Sequence, residues 1–278
     1  VSGKLYICPT PIGNLEDITL RTIRVLSEVD LIIAEDTRHT LKLLNHLQIN
    51  KPLSSYHEHN EKTKGLVILE KLMDGNNVAL VSDAGMPGIS DPGEVLIKMC
   101  IENNIETVIL PGSTAAIVAL VGSGLSTERF AFEGFLGHHK KTRRERLEKI
   151  KYDDRTLIFY EAPHRIKQTL KDMEVVLGDR AITVAREITK KYEQFLRGSI
   201  TNIIEYFEKH EPRGEFVIVC QGSSEENIEN KDELANMSIK ESLLYYIDLG
   251  FDKKEAIKKV MEKKKLPKKE VYKESIDL

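Results

Sequence analysis

Five polar residues, Glu35, Asp36, Thr37, Arg38 and His39, directly follow the apolar run LIIA at 31–34. Two carboxylates, a guanidinium and an imidazole at the end of a strand-like segment suit substrate orientation or proton transfer. Glu35, Asp36 and His39 are therefore candidate acid–base groups, and Arg38 a candidate anion ligand. The alternative is a helix capped by Asp36 or Thr37 beside a surface ion pair. Three more turns follow strand-like runs: PTPIGN at 9–14, SDAGMP at 82–87 running on to SDPG at 90–93, and PGSTAA at 111–116. Small residues let backbone groups approach a flat ligand closely, and proline fixes the loop shape. Three such turns at one sheet edge point to a small-molecule cleft without naming the molecule.

Other chemistries are excluded. The chain has no GxxxxGK[ST] loop and no GxGxxG after its first strand-like run, which argues against a nucleotide triphosphatase and an ordinary dinucleotide-binding dehydrogenase. His57-Glu58-His59 lies in a polar stretch without a third ligand, so no metal site is expected. Cys8, Cys100 and Cys220 are far apart and form no CxxC, as expected of reduced, buried thiols in a cytoplasmic protein. No apolar run approaches the roughly 18–20 residues that span a membrane, and the start has no signal-peptide pattern.

The elements that must position these residues alternate. With 278 residues, 41% apolar and 31% charged, the chain suits two globular domains. Residues 1–125 read as strands at 5–8, 31–34, 78–81 and 107–110, with helices at 18–29, 61–73, 93–103 and 115–121. That alternation predicts a mostly parallel sheet covered by helices, which binds ligands beyond the carboxyl ends of its strands. Residues 126–222 read as strands at 130–135, 156–160, 181–185, 194–196 and 215–220, with helices near 142–150, 166–176 and 203–209. A turn at Arg197-Gly198-Ser199 with no room for a helix predicts a mixed or antiparallel sheet. An acidic linker at 223–237 and a basic helical appendix at 238–278 complete an α/β chain of two domains.

The net charge of −3 hides two basic blocks. Seven Lys/Arg stand against two Glu from 138 to 151, and ten Lys against six acids from 252 to 278. Such blocks either touch nucleic acid or are solvated helix faces.

Seven ordered motifs carry a resemblance: PTPIGNL at 9–15, AEDTRH at 34–39, VSDAGMP at 81–87, SDPG at 90–93, LPGS at 110–113, FYEAPHR at 159–165 and AREITK at 185–190. Together they resemble the family of small-subunit ribosomal RNA methyltransferase I, the cytidine 2′-O-methyltransferase branch of the tetrapyrrole methylase superfamily. The similarity covers essentially the whole chain. It implies S-adenosylmethionine as cofactor, bound in a cleft between two α/β domains. Pro11, Asp83, Ala84, Gly85, Ile89, Thr114 and Ala115 would line it from the first domain. Tyr160, Glu161, Ala185, Arg186, Glu187, Gly214 and Glu215 would do so from the second. It also implies a cytidine in the decoding region of 16S rRNA as target, the small ribosomal subunit as partner, a homodimer, and no role for DNA or membrane.

Methyl transfer to a ribose hydroxyl needs in-line alignment and gains from a base. Glu35, Asp36, His39, Glu161 and Lys190 are the candidates, unranked. Arg38 and Arg165 suit phosphate contacts, and Lys140, Lys141, Arg143 and Arg144 would track the RNA backbone. The alternatives are a methylase of corrin or porphyrin intermediates, and a non-catalytic RNA-binding assembly factor.

Overall fold

The computed structural model describes residues 1–224, 237–248 and 250–276. Most of the expected acidic linker, 225–236, lies outside them. The chain divides into two compact units, Val1–Ala119 with Glu187–Gln194, and Leu120–Arg186 with Phe195–Leu278. The first division falls inside a helix, a few residues before the expected boundary at 125, and the segment 187–194 belongs with the first unit.

The first unit is built on five strands: β1 (Leu5–Cys8), β2 (Leu31–Ala34), β3 (Leu53–Ser55), β4 (Val78–Val81) and β5 (Thr107–Ile109). Their order is β3-β2-β4-β1-β5, and all four pairings are parallel. Helices α1 (Leu20–Glu28), α2 (Thr37–His46), α3 (Glu61–Met73), α4 (Glu94–Glu102) and α5 (Ala115–Ser123) connect or follow the strands. Successive side chains on a strand point to opposite faces, and both faces are covered here. Leu5, Ile7, Ile33, Val78 and Leu80 pack with Leu72 and Leu96 of α3 and α4. Cys8, Ile32, Ala34, Ala79 and Val81 pack with Leu26 and Leu44 of α1 and α2. The short β3, half-buried and carrying two serines, was not expected. At 35–39 the structure takes the alternative of a capped helix: Asp36 caps α2 and pairs with Arg38 at the surface.

The strand order sets the site. From β1 the chain crosses to β2 on one side, and from β4 it crosses to β5 on the other. Adjacent strands β1 and β4 thus form a switch point, where outgoing loops part and leave a crevice.

The second unit holds β6 (Phe130–Phe135), β7 (Thr156–Glu161), β8 (Ala181–Arg186), β9 (Gln194–Ser199) and β10 (Phe216–Cys220) in the order β6-β7-β10-β8-β9. The sheet is mixed: β6 and β7 are parallel, while β10 runs antiparallel to both β7 and β8. The expected turn at Arg197–Ser199 is instead the end of β9. Ser199 caps the expected helix through a reciprocal bond with Asn202, and that helix starts at Ile200, three residues earlier than expected. Helices α6 (Lys140–Ile150), α7 (Ile166–Leu177) and α8 (Ile200–Lys209) cover a core of Leu147, Phe159, Leu170, Phe207, Phe216 and their neighbours.

Helices α9 (Ile239–Asp248), α10 (Lys253–Lys264) and α11 (Lys268–Glu274) form the basic tail around Leu243, Ala256, Val260 and Val271. Asp252 caps α10 in a capping box with Glu255. The tail is docked on α6 rather than standing apart. Phe251 is 4% exposed within the second unit's core, Tyr245 Oη donates to Glu148 at 2.5 Å, and Lys141 pairs with Glu255.

Candidate cofactor and catalytic site

At the switch point the loops after β1 and β4 are joined by main-chain bonds. Thr10 N donates to Gly85 O at 2.9 Å, and Gly85 N donates to Thr10 O at 3.0 Å. Thr10 Oγ1 donates to Ser82 O, and Ser82 Oγ donates to Gly85 O. Gly85 sits at φ +85°, and a Cβ there would stand 3.3 Å from Ile12 Cγ2 and 3.5 Å from Ser113 O. Loops from β1, β4 and β5 therefore converge on one glycine. Gly112 repeats the arrangement, since its Cβ would lie 2.6 Å from Pro9 Cβ. The three loops thus pack closely at these two glycines, with no room there for added side chains. Pro11, Asp83, Ala84, Ile89 and Thr114 lie on these three loops, Ala115 opens α5 directly after the third, and Ile89 is 43% exposed.

In the second unit the register gathers the expected residues at one end of the sheet. Val217 pairs with Tyr160 on one side and Ala185 on the other, and Phe216 pairs with Glu161 and Arg186. Gly214 and Glu215 directly precede them. Tyr160 is held edge-on by Phe132 and Phe135, at 4.9 and 5.6 Å between ring centroids. Arg186 Nε is buried without a hydrogen-bond partner among the described residues, an orphan donor a polar ligand could satisfy. The AREITK motif divides: Ala185 and Arg186 belong to the second unit, Glu187 to Lys190 to the first. There Thr189 Oγ1 accepts from Asn14 N at 3.0 Å, while Glu187 and Thr189 hold φ of +49° and +64°. Positive φ at a β-branched threonine is strain that its surroundings must impose.

The five candidate bases now separate. Asp36 caps α2, accepts from Arg38 N at 2.8 Å and holds the Arg38 guanidinium at 2.8 and 3.1 Å. Those bonds hold its carboxyl far below the usual carboxylate range, which makes it a poor proton acceptor. Glu161, 2% exposed, accepts from Thr169 Oγ1 at 2.6 Å and Ala162 N at 2.8 Å, and pairs with Arg165 at 3.2 Å. Lys190 is paired to Glu187 at 3.0 Å, and His39 is exposed in the first turn of α2. Glu35 differs: at the end of β2, burial and then the nearby Asp83 push its carboxyl up, while His57 pulls it down.

His57 itself is a residue the sequence did not assign to this role. Its backbone N donates to Asn60 Oδ1 at 2.9 Å, which fixes the amide's orientation. Asn60 Nδ2 therefore faces His57 Nε2 at 3.1 Å and donates to it. The ring hydrogen must then sit on Nδ1, which is buried without a partner among the described residues. Only the pairing of polar groups across β2, β3 and α3 reveals this, and sequence spacing does not.

Three expected RNA contacts need correction. Arg143 and Arg144 are 3% and 6% exposed and clamp the buried Asp172, each Nε at 2.7 Å from one carboxylate oxygen. They cannot track a phosphate backbone. Arg165 is turned inward to Glu161 and Leu136 O, so it braces the β7 end instead of gripping phosphate. Lys141 is occupied by Glu255, and Lys140 is exposed. Arg38 is tied to Asp36, yet its side chain stays 88% exposed.

Residues 4–204 match the family model for Tetrapyrrole (Corrin/Porphyrin) Methylases. The chain is 48% identical to "Ribosomal RNA small subunit methyltransferase I" of Halalkalibacterium halodurans, over 97% of this chain and 93% of that one. The chain belongs to this methyltransferase family. A Synechocystis relative of the same name is 46% identical, over 99% and 98% of the two chains. Another, from Thermotoga maritima, is 48% identical over 79% of this chain and 99% of its own, so it lacks a counterpart to about a fifth of this one. Among solved structures, the methyltransferase CobJ superposes with TM-score 0.61 at 18% identity, covering 80% of this chain and 95% of that one. Uroporphyrin-III C-methyltransferase from Thermus thermophilus, complexed with S-adenosyl homocysteine, superposes with TM-score 0.57 at 19% identity, covering 78% and 97%. At these identities the likeness is one of fold.

Proposed function

We propose that the chain transfers the methyl group of S-adenosylmethionine to a ribose 2′-hydroxyl of small-subunit ribosomal RNA, at a cytidine of the decoding region. The carrying observation is 46–48% identity, over nearly the whole chain, to proteins bearing the small-subunit rRNA methyltransferase name. The solved uroporphyrin-III C-methyltransferase and cobalt precorrin-4 methyltransferase share only 19% and 14% identity with this chain.

The three loops that meet at Gly85 suit such a cofactor, because their small residues let a flat ligand approach the main chain closely. Pro11, Asp83, Ala84, Gly85, Ile89, Thr114 and Ala115 would hold it there. The contacts proposed on the second unit are Tyr160, Ala185, Arg186, Gly214 and Glu215. When bound, the cofactor supplies a sulfonium-activated methyl group open to in-line attack. Glu35 accepts the 2′-hydroxyl proton as the oxygen–carbon bond forms and the carbon–sulfur bond breaks. Its raised proton affinity suits it to that role. The unpartnered His57 Nδ1–H offers a hydrogen bond to an oxygen arriving beside Glu35.

The protein acts as a cytoplasmic homodimer in this proposal. Edge strand β6 supports the dimer, with Phe130, Phe132 and Phe135 exposed to 41%, 36% and 54%. No helix among the described residues is long and apolar enough to cross a membrane.

The test is incubation of unmethylated small subunits with labelled S-adenosylmethionine, followed by mass mapping of the RNA. A methyl on one cytidine ribose is expected. Labelling of a tetrapyrrole intermediate instead, or of nothing, sinks the proposal.

A further inference from the structure

Between α6 and the docked tail lies a cavity of about 500 Å³, large enough for one nucleotide. A simple packing junction would fill this space with aliphatic side chains. Three tyrosines line it instead: Tyr152 just beyond α6, and Tyr245 and Tyr246 on α9. Glu148 stands among them. One of its oxygens takes the Tyr245 hydroxyl, and the other has no hydrogen bond among the described residues. Burial pushes the Glu148 carboxyl up, while Lys151, Lys259 and Lys263 draw it down.

The cations around the cavity fall into two groups. Lys259 and Lys151 are committed: Lys259 lies 4.3 Å above the Phe251 ring, 5.7 Å over Tyr246 and 3.8 Å from Glu145, and Lys151 lies 5.4 and 5.7 Å over one face each of Tyr152 and Tyr245. Lys149 and Lys263 are exposed and have no carboxylate within ion-pair distance among the described residues. Aromatic faces, an acceptor with a spare lone pair, and two uncommitted ammonium groups on flexible stems are complementary to one kind of ligand. It has a flat ring, an amino edge and an attached phosphate. Bases stack on aromatic rings, exocyclic amines donate to carboxylates, and lysines neutralise phosphates.

We propose that this cavity is a second nucleotide site, which binds an unpaired ribonucleotide with an amino-bearing base (cytosine, adenine or guanine) in the RNA substrate. The inference rests on the rRNA reading above for its substrate class, but it concerns residues outside the proposed catalytic site. Glu148 accepts from the exocyclic amine, a tyrosine stacks on the base, and Lys149 and Lys263 hold the flanking phosphates. Uracil, with a carbonyl in place of the amine, meets the carboxylate with two opposed acceptors and is disfavoured.

The experiment measures binding of five-residue oligocytidylate and oligouridylate to the full chain by fluorescence anisotropy, across a salt series. The wild-type protein should prefer oligocytidylate. The double variant Lys149→Ala/Lys263→Ala should bind it about tenfold more weakly and flatten the log-affinity against log-salt slope by about 1.4, two single-strand phosphate contacts. Glu148→Gln, whose amide can turn either its oxygen or its nitrogen to the base, should lose the preference for cytidine while still binding. All variants should keep wild-type affinity for S-adenosylmethionine. Three outcomes would overturn the site: no wild-type preference between the oligomers, variants with unchanged affinity and slope, or variants that only melt earlier. Failure of the rRNA reading would show separately, as absent methylation of small subunits by the wild-type protein, since oligomer binding is scored without turnover.

Discussion

Glu35 and Gly85 carry the sharpest consequences at the scale of single residues. Glu35→Gln removes the proposed proton acceptor and nothing from the proposed cofactor loops. Turnover should fall about 10²–10⁴-fold, the usual span for loss of a positioned base, with cofactor affinity unchanged. The pH profile gives a second readout. Burial and then Asp83 raise the Glu35 carboxyl above its ordinary value, so the ionised, active form appears at higher pH than for a free carboxylate. The wild-type rate should climb with pH through this shifted value, and the limb should vanish in the glutamine variant. Stability has the opposite sign: a raised carboxyl favours the fold at pH below its unfolded value, and that contribution is lost as pH rises through the folded one. Glu35→Gln should therefore melt slightly higher than wild type at neutral pH and no higher in acid. Gly85→Val tests the cofactor loops. At φ +85° a branched residue costs about 1–3 kcal/mol in strain, and its side chain meets Ile12 and Ser113. Calorimetry should show cofactor affinity reduced roughly tenfold or more, about 1.4 kcal/mol, with the circular dichroism spectrum retained. The loop residues were legible in the sequence because small residues after strands have few other uses. The ranking of the bases was not, because it depends on which carboxylates are already hydrogen-bonded.

Strands and helices were legible to different degrees, for physical reasons. Strands β1, β2, β4 and β10 are buried on both faces and read as short apolar runs with little ambiguity. Strand β3 did not, because an edge position tolerates Ser54 and Ser55. At α2 the sequence left two readings open, since Asp36 and Arg38 suit a polar functional loop as well as a helix start, and the structure takes the capped helix with its ion pair. The basic stretch of α6 misled most. Its charge suggested a solvated face, but periodicity cannot show that Asp172, one helix away, turns two of its arginines inward. That triad yields a prediction for the α6–α7 pair. Asp172→Ala leaves two buried guanidinium groups without their counter-ion, at a cost of about 3–5 kcal/mol. Chemical denaturation should show the loss. A variant as stable as wild type would mean that the arginines find other partners or water.

For the whole molecule, the open question is what the docked tail contributes, and truncation after Glu233 separates the answers. The charge pattern made the tail look like an appendix beyond an acidic linker, dispensable for folding. Its contacts say otherwise: removal takes Phe251 out of the second unit's core, the Tyr245 hydroxyl from Glu148 and the Asp248 carbonyl from Arg144. Loss of a buried aromatic alone costs about 3–5 kcal/mol, so the truncated protein should unfold at clearly lower denaturant or temperature. Cofactor affinity should stay near wild type, because every proposed cofactor contact lies at or before Glu215. Slow methylation at high subunit concentration is expected to survive, because the proposed cofactor and proton-acceptor residues all lie at or before Glu215. Affinity for the small subunit should drop, because ten lysines between 252 and 278 leave with the tail. Each lost phosphate contact flattens the salt dependence by roughly 0.7–0.9. Stability and salt slope are independent readouts of the two roles. A lower melting point with an unchanged slope would assign the tail to packing alone. A flattened slope would assign it to RNA as well.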